Sequence, residues 1–181
     1  LQCGNHSFGS YDDWYLPAVN EMEYLNVLGT GFSIENAYYW SSTEYYASSA
    51  GAEGYSFYSD AAGTDYKNGN YYVRCFRANP LTFDTPAEAA TSEPTGCSTI
   101  GDKCDQGLIY AFDSDYGAGN VKVYITDTAQ GSMQWKASSG TDDIDDANNP
   151  GSDGWTSTYV GVDSADLPSL TAMYACATLS A

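Results

Sequence analysis

The chain of 181 residues carries 24 acidic and 6 basic side chains, for a net charge of −18. So strong an acidic excess, without a cluster of Lys or Arg, excludes docking on a nucleic-acid backbone or an anionic membrane surface. No apolar run approaches membrane-spanning length, and the length, with an apolar content of 43%, suits a chain that folds around one full core or two very small ones.

The remaining composition points outside the cytoplasm. Tyr occurs 17 times and Gly 18 times, among abundant Ser, Thr and Asn. Tyr offers large contact area at low entropy cost, and small polar residues offer adaptable hydrogen bonding, a mix that suits binding surfaces. Five cysteines in so short a chain imply an oxidising compartment, hence an extracellular or cell-surface location. Cys97 and Cys104 bracket a short loop and form the expected local disulfide. Cys3, Cys75 and Cys176 remain, with their pairing open and one thiol left over. A zinc site is disfavoured, because no Cys-x-x-Cys spacing occurs and His6 is the only histidine.

In chain order, Asn20 with Glu23 resembles a capping box, and Met22, Leu25 and Leu28 fall at helical spacing. A short amphipathic helix is predicted over 19–28, ended by Gly29 and Gly31. The aromatic run Tyr38, Tyr39 and Trp40 leads a strand over 38–43, followed by strands over 54–58 and 70–77, with 59–65 as a loop. In the third strand Tyr71, Val73, Cys75 and Arg77 share one face, and Tyr72, Arg74 and Phe76 the other. Residues 79–98 are Pro-, Thr- and Glu-rich and read as a linker. Two further strands are predicted over 107–112 and 121–125. An acidic tract over 141–154 follows, and Asp166 and Pro168 open a second helix with Leu170, Met173, Tyr174 and Ala177 on its buried stripe.

Trp14, Leu16, Trp40, Val73 and Phe76 are the expected core, with Arg74 and Arg77 as scaffold paired to carboxylates or carbonyls. Glu21 is expected in the first helical turn or in a buried hydrogen-bond network. In the acidic tract, Asp142, Asp143, Asp145, Asp146, Asn148 and Asp153 are hard oxygen donors that suit Ca²⁺, set against a solvated acidic loop. Nothing singles out a catalytic set: His6 has no evident nucleophile beside it, and no Gly-rich phosphate loop follows a strand. The chain is therefore read as non-enzymatic.

Four motifs carry a family resemblance: Asp13-Trp14-Tyr15-Leu16-Pro17, Asn20-Glu21-Met22, Tyr39-Trp40-Ser41-Ser42-Thr43-Glu44, and Tyr72-Val73-Arg74-Cys75-Phe76-Arg77. In this order they resemble the bacterial domain of unknown function numbered 1566, which includes the C-terminal domain of Legionella collagen-like adhesins. The resemblance implies an α+β, C-type-lectin-like fold: a small twisted antiparallel sheet flanked by two helices, with long loops on one face. The motifs are also similar to those of variable proteins diversified by retroelements. That likeness implies a presentation surface made of Glu44, Tyr45, Tyr46, Tyr55, Phe57, Tyr58, Asp60, Asp65, Tyr66, Asn68, Asn70 and Tyr71. It further implies a glycan or protein ligand.

The order of segments departs from that family. Features that precede Asp-Trp-x-Leu-Pro in the family follow it here: the tryptophan strand at Met133 to Trp135, the Asp153-Gly154 loop, and the helix around Cys176. Residues 1–80 thus read as the C-terminal half of such a domain, 81–98 as linker, and 99–181 as the N-terminal half. Three arrangements fit: circular permutation, one period of a repeat protein, or head-to-tail completion of each subunit's fold by its neighbour. Repetition or assembly is preferred over permutation. The leading expectation is a structural or adhesive subunit of an extracellular assembly; the alternative is a monomeric binding module.

Overall fold

The computed structural model describes residues 14–27, 34–79, 94–104, 108–114, 121–127, 129, 131–136, 172 and 175–176. They form a small α+β domain with one helix, α1 (Val19–Val27), and eight strands. A five-stranded sheet has the order β3-β2-β1-β4-β8, from β1 (Tyr38–Glu44), β2 (Gly51–Ser56), β3 (Ala61–Tyr66), β4 (Asn70–Tyr72) and β8 (Ser132–Gln134). A three-stranded sheet has the order β5-β7-β6, from β5 (Phe76–Asn79), β6 (Leu108–Ser114) and β7 (Val121–Thr126). The larger sheet is mixed rather than antiparallel, because β1 and β4 run parallel with Tyr39 beside Tyr72.

α1 begins where the apolar spacing places it, but its cap differs from the predicted one. Glu21, not Glu23, closes the first turn: its carboxylate accepts from the Ala18 N–H at 2.8 Å and from the Tyr15 hydroxyl at 2.9 Å. Ala18 has no side-chain acceptor to offer, and the Thr43 hydroxyl accepts from the Val19 N–H at 3.1 Å in its place. Met22 and Leu25 face inward as their spacing requires.

β1 is buried along nearly its whole length, since it lies between β2 and β4. β3 forms the sheet edge and is mostly exposed. The predicted 59–65 loop is therefore largely strand, held by six register pairs with β2 from Gly51 opposite Tyr66 to Ser56 opposite Ala61. Across that ladder Gly54 faces Gly63, and the Tyr38 ring lies over both, its hydroxyl donating to the Gly63 carbonyl at 2.6 Å. A Cβ on Gly54 would strike the Tyr39 carbonyl and approach Tyr38 Cε1 to 2.5 Å.

The predicted strand over 70–77 is divided. β4 belongs to the large sheet and β5 to the small one, and the break at Val73 to Cys75 carries the chain between them. Residues 73–77 are consequently all buried, without two-faced alternation. Arg74 spans this break: it donates to the Thr126 carbonyl at 2.8 Å and to Glu35 at 2.7 Å. This is the scaffold role expected of it. The core gathers Trp14, Leu16, Trp40, Val73, Tyr124 and Trp135 between the sheets, with Ala172 and Cys176 packed on them. Phe76 is fully buried as well, its ring tilted against Tyr15.

Two disulfides close the chain. Cys97–Cys104 is the local bridge foreseen from spacing, and Cys75–Cys176 resolves the pairing left open. Cys3 lies outside the described residues, as do the acidic tract, the linker over 81–93 and the predicted stripe of the second helix. Of that helix, only Ala172, Ala175 and Cys176 are described, in helical conformation and buried.

Candidate functional site

The β2–β3 hairpin divides the expected presentation surface between its two ends. At one end, Tyr45 of the β1–β2 loop shares a cleft with Asp65 and Tyr66 of β3, and Tyr46 packs on Tyr45. At the other, Phe57, Tyr58 and Asp60 form the turn. Five residue steps separate the ends, about 17 Å at strand rise. The two ends are therefore too far apart for one small molecule to bridge.

The first end contains a cleft of about 260 Å³ lined by Tyr45, Ser48, Gly51, Thr64, Asp65 and Tyr66. Tight turns shape it: the Ser48 N–H donates to Tyr45 O at 3.0 Å, and the Gly51 N–H donates to Ser48 O at 2.9 Å. A Cβ on Gly51 would stand 3.3 Å from the Tyr45 side chain, a tight contact that Tyr45 would have to relieve by a small shift. Tyr46 is 86% exposed and Tyr66 69%, with the Tyr45 and Tyr46 rings edge-on at 5.4 Å.

Asp65 is braced from both sides. Its carboxylate accepts from the Tyr66 N–H at 2.6 Å and from the Tyr71 hydroxyl. Tyr71 in turn packs 4.9 Å from Trp40 and 4.6 Å from Tyr38, so the cleft floor is anchored in the core. The bond to Asp65, then burial, push the Tyr71 hydroxyl above its usual range.

At the other end Asp60 adopts φ +53°, a left-handed conformation that Asp tolerates better than most residues. Its carboxylate accepts from Asn26 of α1 and from the Tyr55 hydroxyl. Burial first, and the bond to Asp60 second, raise Tyr55 to about 12. Tyr58 projects beyond this cluster, 79% exposed.

Not every expected residue reaches the surface. Glu44 and Tyr55 are buried, Phe57 and Tyr71 are partly buried, and Asn68 on the β3–β4 connection and Asn70 at the start of β4 are exposed. Glu44 is ion-paired with the equally buried Lys67. Its place at the end of a central strand turns it inward. Ser48, Gly51 and Thr64 line the cleft without having been anticipated, because a lone Ser or Thr in a polar stretch carries no signal of its own.

No family model, curated protein or solved structure matches the chain. The six residues considered for Ca²⁺, Asp142, Asp143, Asp145, Asp146, Asn148 and Asp153, lie outside the described residues. Among the described residues no group of three or more His, Cys, Asp or Glu is placed to hold a metal. None of their helices is long and apolar enough to cross a membrane.

Proposed function

We propose that the chain is an extracytoplasmic, C-type-lectin-like binding module that offers its Tyr45–Tyr66 cleft to a glycan or protein ligand without catalysing a reaction. The observation that carries this reading is a pair of exposed tyrosines, Tyr66 lining the cleft and Tyr46 packed on its lining residue Tyr45, with the cleft floor anchored through Asp65 and Tyr71. An aromatic ring stacks on the apolar face of a sugar or a peptide side chain, and its hydroxyl bonds the polar rim. Rigid support lowers the entropy lost on binding. The two disulfides support an oxidising location. The net charge of −18 favours neutral or cationic ligands over anionic ones.

The test is a glycan array, together with a panel of immobilised surface proteins, probed with wild type and with a Tyr46→Ala/Tyr66→Ala double variant. Wild type should retain discrete ligands, and the variant should lose about tenfold or more in affinity at an unchanged unfolding midpoint. Ligands held equally by both proteins would mean that the cleft is not the recognising surface.

A second reading is head-to-tail assembly, favoured by one observation. The stretches 14–79 and 94–176 meet through non-local contacts: β4 with β8, β5 with β7, and Cys75 with Cys176. The same junction, formed between copies, would build an open filament. Native mass decides: a particle far larger than the 19.4 kDa chain supports assembly, and a monomer removes it.

A further inference from the structure

Glu44 ends β1 and Lys67 follows β3, so the pair sits at the base of the β2–β3 hairpin. Their side chains are only 3% and 2% exposed and are ion-paired. The Trp135 ring covers the ammonium at 4.6 Å. The backbone holds both partners in place. Glu44 is in register with Ala52, the Lys67 N–H donates to Ala50 O at 3.0 Å, and the Lys136 N–H donates to Lys67 O at 3.2 Å. Beyond the ion pair, neither oxygen of the Glu44 carboxylate receives a hydrogen bond among the described residues.

We propose that this pair is a self-modification site, at which Glu44 and Lys67 condense to a side-chain amide. One proton passes from the Lys67 ammonium to the paired Glu44 carboxylate, and the neutral amine nitrogen then attacks the Glu44 carboxyl carbon. A C–N bond forms, one carboxyl C–O bond breaks, and two ammonium protons leave with that oxygen as water. Charge and atoms balance, with no oxidant or other co-reactant.

Three features of the site drive the step. Two buried charges carry a desolvation cost that a neutral amide does not. The departing oxygen is one that the described residues leave without a hydrogen bond. Fixed adjacency replaces the encounter of two free groups, the largest entropic obstacle to such a condensation. The product ties β1 to the β3–β4 turn and so closes a covalent ring around the hairpin that carries the cleft. It stands independently of the binding reading.

The full chain, reduced and alkylated, is weighed intact and then digested with chymotrypsin, which cuts at the tyrosines between the two residues. The expected mass is lighter by one water than the sequence requires, with Glu44 and Lys67 on joined peptides. Lys67→Arg should restore the full mass. A wild-type chain of full mass overturns the proposal, whether or not the variant folds. So does a lost water that maps elsewhere, for example to Asp153-Gly154, a pair able to cyclise by dehydration.

Discussion

The Trp135 indole N–H donates to the Ser41 carbonyl oxygen at 2.8 Å, joining positions 94 residues apart. Ser41 lies on the central strand β1, and Trp135 directly follows the edge strand β8. Trp135→Ala removes a fully buried ring and should cost about 3–5 kcal/mol. Trp135→Phe keeps most of the ring but deprives the buried carbonyl of its donor, for about 1–3 kcal/mol. Urea midpoints of the two variants check this. Equal losses would mean that the hydrogen bond contributes nothing beyond packing.

The two disulfides should differ in worth according to the chain they enclose. Cys75–Cys176 spans 101 positions and Cys97–Cys104 spans 7. Loop-closure entropy gives about 4.7 kcal/mol for the long bridge and about 2.5 kcal/mol for the short one. Paired alanine substitutions, compared by denaturant midpoint, should preserve that order. A costlier loss of the short bridge would contradict it.

Glu35 makes part of the stability dependent on pH. Burial pushes its carboxyl up, but hydrogen bonds from Tyr39 and its own backbone, with the Arg74 charge, outweigh this and hold it below the usual range. A depressed carboxylate stabilises the fold fully above its ordinary value and loses that contribution as pH falls through the folded value. The stability difference between wild type and Glu35→Gln should therefore be largest near neutrality and shrink on acidification. Midpoints measured in parallel across the carboxylate range test the sign. A difference that grows in acid would refute it.

Gly54 and Gly63 face each other across one ladder, yet alanine should be tolerated at only one of them. At Gly63 the added methyl meets Tyr38 Cε2 at 3.4 Å, an ordinary contact. At Gly54 it would strike the Tyr39 carbonyl of a buried strand, which cannot move aside. Gly54→Ala should cost about 1–3 kcal/mol or more, and Gly63→Ala much less. Thermal melts of the two variants are enough to rank them.

These contrasts also mark how far the sequence alone could be read. Met22 and Leu25 announce α1 and its start, yet its cap is obscured because the donor at Val19 is satisfied by Thr43, a residue from a distant strand. Trp14, Trp40, Val73 and Phe76 are core by residue type, and the structure buries each of them. β3 is hidden by its composition: Ala-Ala-Gly-Thr-Asp-Tyr has little strand preference and takes its form from pairing with β2. The division of 70–77 between two sheets has no local signature, since both pieces are rich in strand-forming residues. At the cleft, the tyrosines are legible as a type. Which of them share one end of a hairpin depends on the register of β2 with β3, and that is a tertiary fact.

The Cys75–Cys176 bridge also sets a schedule for biosynthesis. Cys75 emerges during synthesis 101 residues before its partner, and Cys97 and Cys104 both appear in the interval. Oxidation in order of appearance would join Cys75 to the wrong sulfur. Meanwhile Trp40 awaits the late-arriving Trp135 that shares its core, leaving apolar surface bare on the half-made chain. Native pairing thus requires that oxidation wait for the C-terminal segment, or that an isomerase repair early mistakes. A host that makes this protein well delays that oxidation or supplies the isomerase, and one that oxidises nascent chains quickly without repair should yield it scrambled.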